Sequence, residues 1–230
     1  MKISVVIPII NEANIIGHAI ARAWAAGADE VIVVDGGSTD GSLDIVKRAN
    51  CQLVHSEPGR GGQQNAGAKA SSGDVVLFLH ADTWLDEDAC QQIRTSGDGV
   101  SNVCGAFRQK IENEKRIYRW IESGNALRIR WRRLFYGDQG IFVCRKLFQS
   151  VGGFPEEPFM EDFILARKLR KHRPLLLDGP IHVDARRWNT NGPLRQTFRN
   201  WCIVTLYYLG IQPKTLVRLY HRHDQPRNLA

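Results

Sequence analysis

The sequence has few cysteines and no Cys-x-x-Cys pair. Its five cysteines are an odd number, widely spaced along 230 residues, so neither a disulfide framework nor a zinc site is indicated. A signal-peptide pattern is also missing, because Met1 and Lys2 lead directly into a strand-like stretch. A reducing compartment is therefore expected, and the prediction is a cytoplasmic protein.

Two phosphate-binding motifs are missing as well. No Gly-x-Gly-x-x-Gly follows the first predicted strand, which disfavours a dinucleotide fold of the NAD type, and no Gly-x-x-x-x-Gly-Lys-Ser/Thr loop is present. The apolar stretch near the end, residues 201–211, is far shorter than the roughly 20 residues that a helix needs to span a bilayer. These absences exclude several large classes of nucleotide-binding and membrane-spanning proteins.

What the sequence does contain is an ordinary globular composition with an uneven charge. Hydrophobic residues make up 43% and charged residues 24%, and the length suits one α/β domain. Residues 186–230 hold seven arginines, one lysine and one acidic residue, a formal charge of +7 that equals the net charge of the chain. Nucleic acid, an anionic membrane or an anionic substrate would suit such a segment. No RNP-like or helix-turn-helix signature is found, so no nucleic-acid partner is predicted.

The basic segment has two structural interpretations. Residues 193–220 are predicted to form two helices broken near Gly210 and Pro213. The apolar stretch with Trp201, flanked by arginines, is typical of a core helix with a solvated basic face. The same pattern also suits a helix lying in a membrane interface, so peripheral membrane contact through residues 195–222, at the inner face of the membrane, stays open.

The first 80 residues alternate between strand and helix patterns. Apolar runs typical of buried parallel strands alternate with helical periodicity or Gly/Ala-rich segments. This alternation predicts βαβ units and a Rossmann-like, mostly parallel, doubly wound sheet flanked by helices. Ligands of such sheets bind beyond the carboxyl ends of the strands. Strands are predicted at 3–8, 31–34, 52–55, 75–79, 104–110, 140–144 and 175–177, and helices at 12–24, 42–49, 61–70, 112–133 and 162–171.

Three acidic positions follow predicted strands or open a predicted helix, and each has two interpretations. Asp35 suits either a hydrogen bond to a base or ribose or a tight turn. Asp82 suits either a metal–diphosphate site or a turn cap. Asp162, next to Glu161, suits either a general base or a helix N-cap. No local pattern separates these alternatives.

Five motifs in a fixed order carry a resemblance that no single motif would. Pro8 to Glu12, residues 33–41, residues 61–67, residues 73–82 and Met160 to Asp162 together resemble a family-two glycosyltransferase of the GT-A fold. The resemblance covers about residues 1–190, which defines the predicted catalytic domain, and residues 191–230 form a basic helical extension packed on it. Two further motifs, at 136–139 and 185–188, are similar to those of a small bacterial subgroup associated with arsenosugar biosynthesis.

The resemblance implies a set of site residues. The nucleotide would be bound by Pro8, Glu12, Asp35, Gly37 and Arg60. The metal, Mg²⁺ or Mn²⁺, would be held by Asp82 with His80. Asp162 would be the catalytic base, flanked by Glu161, and the acceptor would be bound by Gly137, Asp138, Gln139 and Trp188.

Two departures from the family pattern bear on function. His80 stands where the first acid of the Asp-x-Asp motif would be, which leaves one fewer sure carboxylate for the metal. Asp184 replaces the glutamine of the Gln-x-x-Arg-Trp motif of processive synthases, and long spanning helices are missing, so polymer synthesis is not expected. His182 lies near the position where some relatives place a metal or phosphate ligand, although a lone histidine also suits a structural role.

The predicted reaction is a non-processive, metal-assisted, inverting transfer of a sugar from a nucleotide-diphosphate donor to an acceptor hydroxyl. The acceptor is predicted to be a small molecule or a lipid-linked one, and the oligomeric state is not predicted. Two alternatives remain at this stage, a catalytically silent nucleotide-sugar-binding protein and a nucleotidyltransferase. The second normally needs a Gly-rich, basic loop after strand one, where this chain has Ile9 to Glu12.

Overall fold

A computed structural model describes residues 1–96, 102–185 and 192–217. The first half of the chain alternates strongly between strand and helix, as its hydrophobic pattern predicts. Its elements are β1 Ile3–Ile9, α1 Ile16–Ala25, β2 Glu30–Asp35, α2 Ser42–Arg48, β3 Gln52–His55, α3 Arg60–Ala70 and β4 Val75–Phe78.

The second half is less regular and contains shorter elements. They are β5 Thr83–Leu85, α4 Ala89–Thr95, β6 Cys104–Ile111, α5 Arg116–Arg132, β7 Ile141–Cys144, α6 Arg145–Ser150, α7 Glu161–Leu169, β8 Leu175–Val183, α8 Pro193–Tyr208 and α9 Pro213–Leu216. Single 3-10 turns occur at Gly137–Gln139 and Arg170–His172.

All eight strands form one sheet in the order β3-β2-β1-β4-β7-β6-β8-β5. Strands β3, β2, β1 and β4 are parallel, which confirms the α/β class and the βαβ units of the first half. Strand β7 runs antiparallel to both of its neighbours, and β5 runs antiparallel to β8. The parallel pattern predicted from the first 80 residues therefore ends at β4, and the second half of the sheet is mixed.

Close packing of α3 on the sheet fixes the polar end of that helix. A Cβ atom at Gly67 would overlap Val6 and would lie 2.9 Å from Val34 Cγ2, so only glycine allows this approach. The Nε2 group of Gln63 donates to the backbone oxygens of Ile9 and Val34, both at 2.9 Å. The start of α3 is thereby held at the carboxyl ends of β1 and β2.

The described part of the C-terminal helices packs against the main hydrophobic core. The two helices predicted after residue 193 are present as α8 and α9, with Gly210 in the left-handed region between them. Ile203 and Leu216 are part of the main hydrophobic cluster, whereas Trp201 is 67% exposed. Among the described residues, no helix combines the length and the apolar character that crossing a bilayer requires. The division into 1–190 and 191–230 stays a prediction.

Candidate active site

The carboxyl end of β2 presents Asp35 inside a tight loop. Its buried carboxylate accepts the backbone N–H groups of Gly37, at 3.0 Å, and Ser38, at 3.1 Å. His55 Nδ1 lies 3.7 Å from Asp35 Oδ2, and Gly37 is exposed with a positive φ of 97°. Asp35 therefore shapes the turn and, at the same time, faces the sheet edge where a ligand is expected.

The loops after β1 and β2 are tied together. Asn11 accepts the backbone N–H of Thr39 at 2.8 Å, and the backbone N–H of Glu12 donates to Ser42 Oγ at 2.8 Å. Pro8 is half-buried near the end of β1 and pairs with Val34 of β2. Pro8 and Glu12 are therefore beside the Asp35 loop, as the sequence predicts, although their role in nucleotide binding stays a prediction.

Helix α7 meets α3 at the same edge of the sheet. Glu161 is buried, and its Oε1 atom lies 4.0 Å from Nε of the partly buried Arg60. A Cβ atom at Gly61 would lie only 2.6 Å from the backbone oxygen of Pro155, so the segment before α7 packs directly on the first turn of α3. This contact brings the predicted nucleotide residue Arg60 next to the predicted catalytic pair.

Asp162 projects from the first turn of α7 toward the turn at 137–139. Its Oδ2 atom accepts the backbone N–H of Gly137 at 2.6 Å. The N-cap position belongs to Met160, which has a left-handed backbone and no side-chain cap bond. A Cβ atom at Gly137 would lie 2.8 Å from His80 Nε2 and 3.3 Å from Asp162 Oδ2. Three segments distant in sequence, carrying His80, Gly137 and Asp162, thus converge.

The predicted metal position lies where β4 passes into β5. Asp82 is half-buried and precedes Thr83, which pairs with Val183 in the antiparallel β5–β8 ladder. Asp184 follows Val183, so this register places Asp82 and Asp184 at the same end of the ladder. Within the described ranges, no group of three or more His, Cys, Asp or Glu side chains is arranged to hold a metal by itself.

A partly buried arginine supports the 137–139 turn. Arg128 of α5 donates to Gln139 Oε1 at 2.6 Å and to the oxygen of Leu134 at 3.2 Å, and its guanidinium carbon lies 3.8 Å from the centroid of the Tyr136 ring. Burial lowers the pKa of Arg128 and raises the pKa of Tyr136 from their ordinary values. The turn that faces Asp162 is therefore anchored on a guanidinium and an aromatic ring.

The acceptor-side predictions have different surroundings. Gly137 faces Asp162, and Asp138 is half-buried with its backbone oxygen 3.4 Å from Gln109 Nε2. Gln139 is fully buried, and its Oε1 atom accepts hydrogen bonds from Arg128 of α5 and from the backbone N–H of Tyr136. These contacts of Gln139 are therefore made inside the protein. Trp188 lies outside the described residues. Acceptor binding by all four stays a prediction.

His182, on the β5–β8 ladder, has a set of contacts of its own. Its Nδ1 atom lies 2.6 Å from Glu112 Oε1, its Nε2 atom lies 2.9 Å from Asp86 Oδ1, and its ring stacks on Trp84. Both ring nitrogens therefore already contact carboxylates, which favours the structural interpretation of this histidine over a metal or phosphate ligand.

Two residues of the site were missed by the sequence analysis. Gln63 lies inside the motif at 61–67 but no local pattern points to its bonds with two strand ends. Arg128 is one of several arginines in a basic helix, and its contacts with Gln139 and the Tyr136 ring distinguish it. Long-range packing, which local spacing does not encode, selects both side chains.

Comparison with known proteins shows which family this chain resembles. The sequence model of glycosyl transferase family 2 matches residues 4–152, which is more than half of the chain. The putative glycosyltransferase EpsH of Bacillus subtilis is 32% identical over 91 residues, 36% of this chain and 26% of that protein. The undecaprenyl-phosphate 4-deoxy-4-formamido-L-arabinose transferase of Salmonella paratyphi A is 29% identical over 125 residues, 49% of this chain and 38% of that protein. The chain thus spans well under half the length of these relatives.

Solved structures with a similar fold include two proteins with bound ligands. The Staphylococcus aureus TarS fragment 1-349 in complex with UDP-GlcNAc has a TM-score of 0.59 at 20% identity, covering 80% of this chain and 58% of that one. The Mycobacterium tuberculosis glucosyl-3-phosphoglycerate synthase with Mn²⁺, UDP and glucosyl-3-phosphoglycerate has a TM-score of 0.54 at 20% identity, covering 80% and 70%. At this identity the likeness establishes the fold, and the predicted GT-A type is confirmed. Asp162 lies beyond the part that the family model matches.

Proposed function

Because the chain belongs to glycosyltransferase family 2, we propose that it transfers a sugar from a nucleotide-diphosphate donor to an acceptor hydroxyl with inversion and without processivity. The observation that carries this proposal is the convergence of Asp162, Gly137 and His80 beside the Arg60–Glu161 pair. This convergence supports a catalytic role for the Asp162 carboxylate, because ligands of α/β sheets bind at the carboxyl ends of the strands, where a reacting hydroxyl is expected.

The residues present suit a divalent cation bound together with a diphosphate. Magnesium usually takes only one or two carboxylates from a protein and completes its shell with water and substrate phosphate oxygens. Asp82 with His80 is the proposed donor set, and Asp184 lies at the same end of the β5–β8 ladder as Asp82. When bound, Mg²⁺ or Mn²⁺ would neutralise negative charge on the diphosphate. Mn²⁺ in the mycobacterial synthase of similar fold supports this assignment.

In the proposed reaction, the chain's own residues remove one proton, that of the acceptor hydroxyl. Asp162 Oδ2 accepts the proton of the acceptor hydroxyl while the acceptor oxygen forms a bond to C1 of the sugar. The bond from C1 to the diphosphate oxygen breaks on the opposite face, and its electron pair leaves with the nucleoside diphosphate. The Gly137 N–H, 2.6 Å from Oδ2, orients the carboxylate, and Arg60 adds positive charge near the nucleotide.

A nucleotide panel tests the donor assignment. Sugar nucleotides of uridine, guanosine, cytidine and thymidine are compared by thermal unfolding with and without Mn²⁺. We expect one base class to raise the unfolding midpoint by about 5–10 °C at a hundredfold excess over its Kd, because a ligand that binds only the folded chain stabilises it. UDP in the two solved complexes favours uridine.

Two aspartate variants test whether the thermal shift depends on the predicted nucleotide site. Asp35→Asn is expected to remove most of the shift, whereas Asp44→Asn, the same change on the exposed side of α2, is expected to retain it. Failure of every nucleotide to shift the midpoint would argue against the donor class. A shift without any sugar release or transfer would favour the silent nucleotide-sugar-binding alternative.

The role of Asp82 is tested by its dependence on the cation. Asp82→Ala is expected to weaken nucleotide binding roughly tenfold or more when Mn²⁺ is present, and not at all in a chelator, because one of few metal ligands is lost. Isothermal titration under both conditions measures this. Asp88→Ala, an exposed carboxylate bonded to Gln92, is the control and should change neither value. Equal weakening in the chelator would contradict a ligand role.

The acceptor and the cellular setting are proposed at a coarser level. The relative from Salmonella is named as an undecaprenyl-phosphate transferase, which supports a lipid-linked acceptor beside the small-molecule alternative. The basic extension, 191–230, and its predicted membrane contact through 195–222 suit the lipid-linked class. A cytoplasmic location at the inner face of the membrane remains the prediction that accompanies it.

A further inference from the structure

Helix α5 exposes large aromatic and aliphatic side chains on its outward side. Trp120 is 76% exposed, Leu127 49% and Trp131 79%, and their spacing of seven and four residues places them in one stripe. The opposite side of the helix buries Tyr118 and Ile129. A surface helix of a globular protein normally shows polar residues outward, so this stripe is unusual.

Helix α8 repeats the pattern. Leu194, Phe198 and Trp201 are each about 70% exposed and follow one another at spacings of four and three residues, and Tyr208 extends the same side by two turns. The inward side buries Gln196 and Ile203. Helices α5 and α8 contact each other, so the two outward stripes lie on neighbouring elements.

The same two helices are strongly basic. Residues 115–133 contain seven basic residues and one acidic residue, and residues 192–217 contain three basic residues and no acidic one. Arg116, Arg119 and Arg130 lie on the exposed side of α5, and Arg195 on that of α8. We refer to the outward sides of α5 and α8 as the aromatic–basic face.

The charge and the side-chain types of the aromatic–basic face together favour one kind of partner. A second copy of the chain would bring two positive faces together, which is electrostatically unfavourable. An anionic bilayer surface satisfies both features, because tryptophan and tyrosine favour the headgroup region and arginine pairs with acidic headgroups. We propose that the aromatic–basic face docks in the plane of an anionic lipid membrane. Beyond the segment 195–222 predicted from sequence, this adds α5.

The aromatic–basic face lies close to the proposed active site. Phe163, the residue after Asp162, makes edge-to-face contacts with Tyr207 and Tyr208, with ring centroids 5.6 and 5.9 Å apart. The C-terminal end of α8 therefore lies next to the proposed base. Docking would bring a membrane-borne acceptor to Asp162, a consequence that rests on the proposed function, whereas docking itself does not.

Vesicle binding of the full chain tests the proposal. Sedimentation with phosphatidylcholine–phosphatidylglycerol vesicles is expected to capture the protein, and pure phosphatidylcholine vesicles are expected to bind it at least about tenfold more weakly. Trp131→Ala and Trp201→Ala are each expected to reduce affinity for the mixed vesicles by about tenfold, because a buried indole is lost from the interface. Quenching of the wild-type tryptophan fluorescence by brominated lipids gives a readout that needs no variant.

Charge reversals at two exposed arginines provide the matched control. Arg130→Glu on α5 should weaken binding to the mixed vesicles, whereas Arg48→Glu on α2, toward the β3 end of the sheet, should bind as wild type does. The proposal is overturned if the mixed vesicles do not bind, if both vesicle types bind equally, or if the tryptophan variants change self-association in analytical ultracentrifugation without changing vesicle binding. The nucleotide thermal shift, measured on the same samples, reports separately on the donor site.

Discussion

Replacing Asp162 with asparagine is expected to lower the rate of sugar transfer by about 10²–10⁴-fold, because the acceptor hydroxyl loses its proton acceptor. Asparagine has nearly the same shape, and its amide oxygen accepts the Gly137 N–H in place of Oδ2. The fold and the nucleotide-induced thermal shift should therefore persist. Release of nucleoside diphosphate, with water as acceptor or with a supplied alcohol, measures the loss.

A control separates loss of the base from a general effect of the substitution. Asp178→Asn removes a carboxylate of β8 that is 89% exposed and lies 3.5 Å from Arg108. This variant should turn over as the wild-type enzyme does. Wild-type turnover in Asp162→Asn would refute the assignment of Asp162, and the neighbouring Glu161 would then be the next carboxylate to replace.

Adding one methyl group at Gly137 is the second change with a large expected effect. In Gly137→Ala the new Cβ would lie 2.8 Å from His80 Nε2 and 3.3 Å from Asp162 Oδ2, so the turn or the two side chains must move apart. Misplacement of catalytic groups by about 1 Å costs on the order of 10²-fold in rate. We expect a loss of that size in turnover, measured under saturating donor.

The turn itself should survive this substitution because its anchors lie elsewhere. Arg128 and Gln139 hold it from below, so circular dichroism and the unfolding midpoint should change much less than turnover. Gly124→Ala, at an exposed position of α5 with no atom near the added carbon, is the matched control and should leave turnover unchanged. Full activity in Gly137→Ala would show that the close approach of His80 and Asp162 has no catalytic role.

Most of the first half of the fold could be predicted from sequence. Strands such as β2 are short, β-branched and buried on both sides, and helix α1 repeats apolar residues at helical spacing, so local patterns determine both. The loops that follow these strands carry Asp35 and Asp82, and the parallel sheet brings their ends to one edge. The predicted location of the site therefore rests on the carboxyl ends of parallel strands and on a few acids that follow them.

The second half could not be predicted as well, because its elements depend on distant partners. Strand β5 is only three residues long and exists as a strand through its pairing with β8. Strand β8 continues past residue 177, its predicted end, and runs to Val183. It passes through Gly179, and glycine is a residue type common in turns. The carboxamide of Gln92 pairs with the backbone N–H and oxygen of Gly179, at 2.9 and 3.0 Å, and supports the irregular position.

The C-terminal helices show a second limit of prediction from hydrophobic spacing. Their apolar residues are correctly placed on helices, but spacing alone does not tell which side of α8 faces the core. The structure assigns Ile203 to the core and leaves Leu194 and Phe198 exposed. Only tertiary packing distinguishes the two apolar sides, because both repeat at helical intervals.

The reversal of strand direction between β4 and β7 divides the sheet into an earlier, parallel portion and a later, mixed portion. Predicted donor residues such as Asp35 and Arg60 belong to the parallel portion, whereas the turn at 137–139 and helix α7 belong to the portion that begins with β7 and its neighbours. The two portions adjoin through the β4–β7 ladder and through the packing of α7 and the segment before it on α3. Under the proposed function, substitutions confined to the later portion are expected to change acceptor selectivity and to leave nucleotide selectivity, which depends on the earlier portion, unchanged.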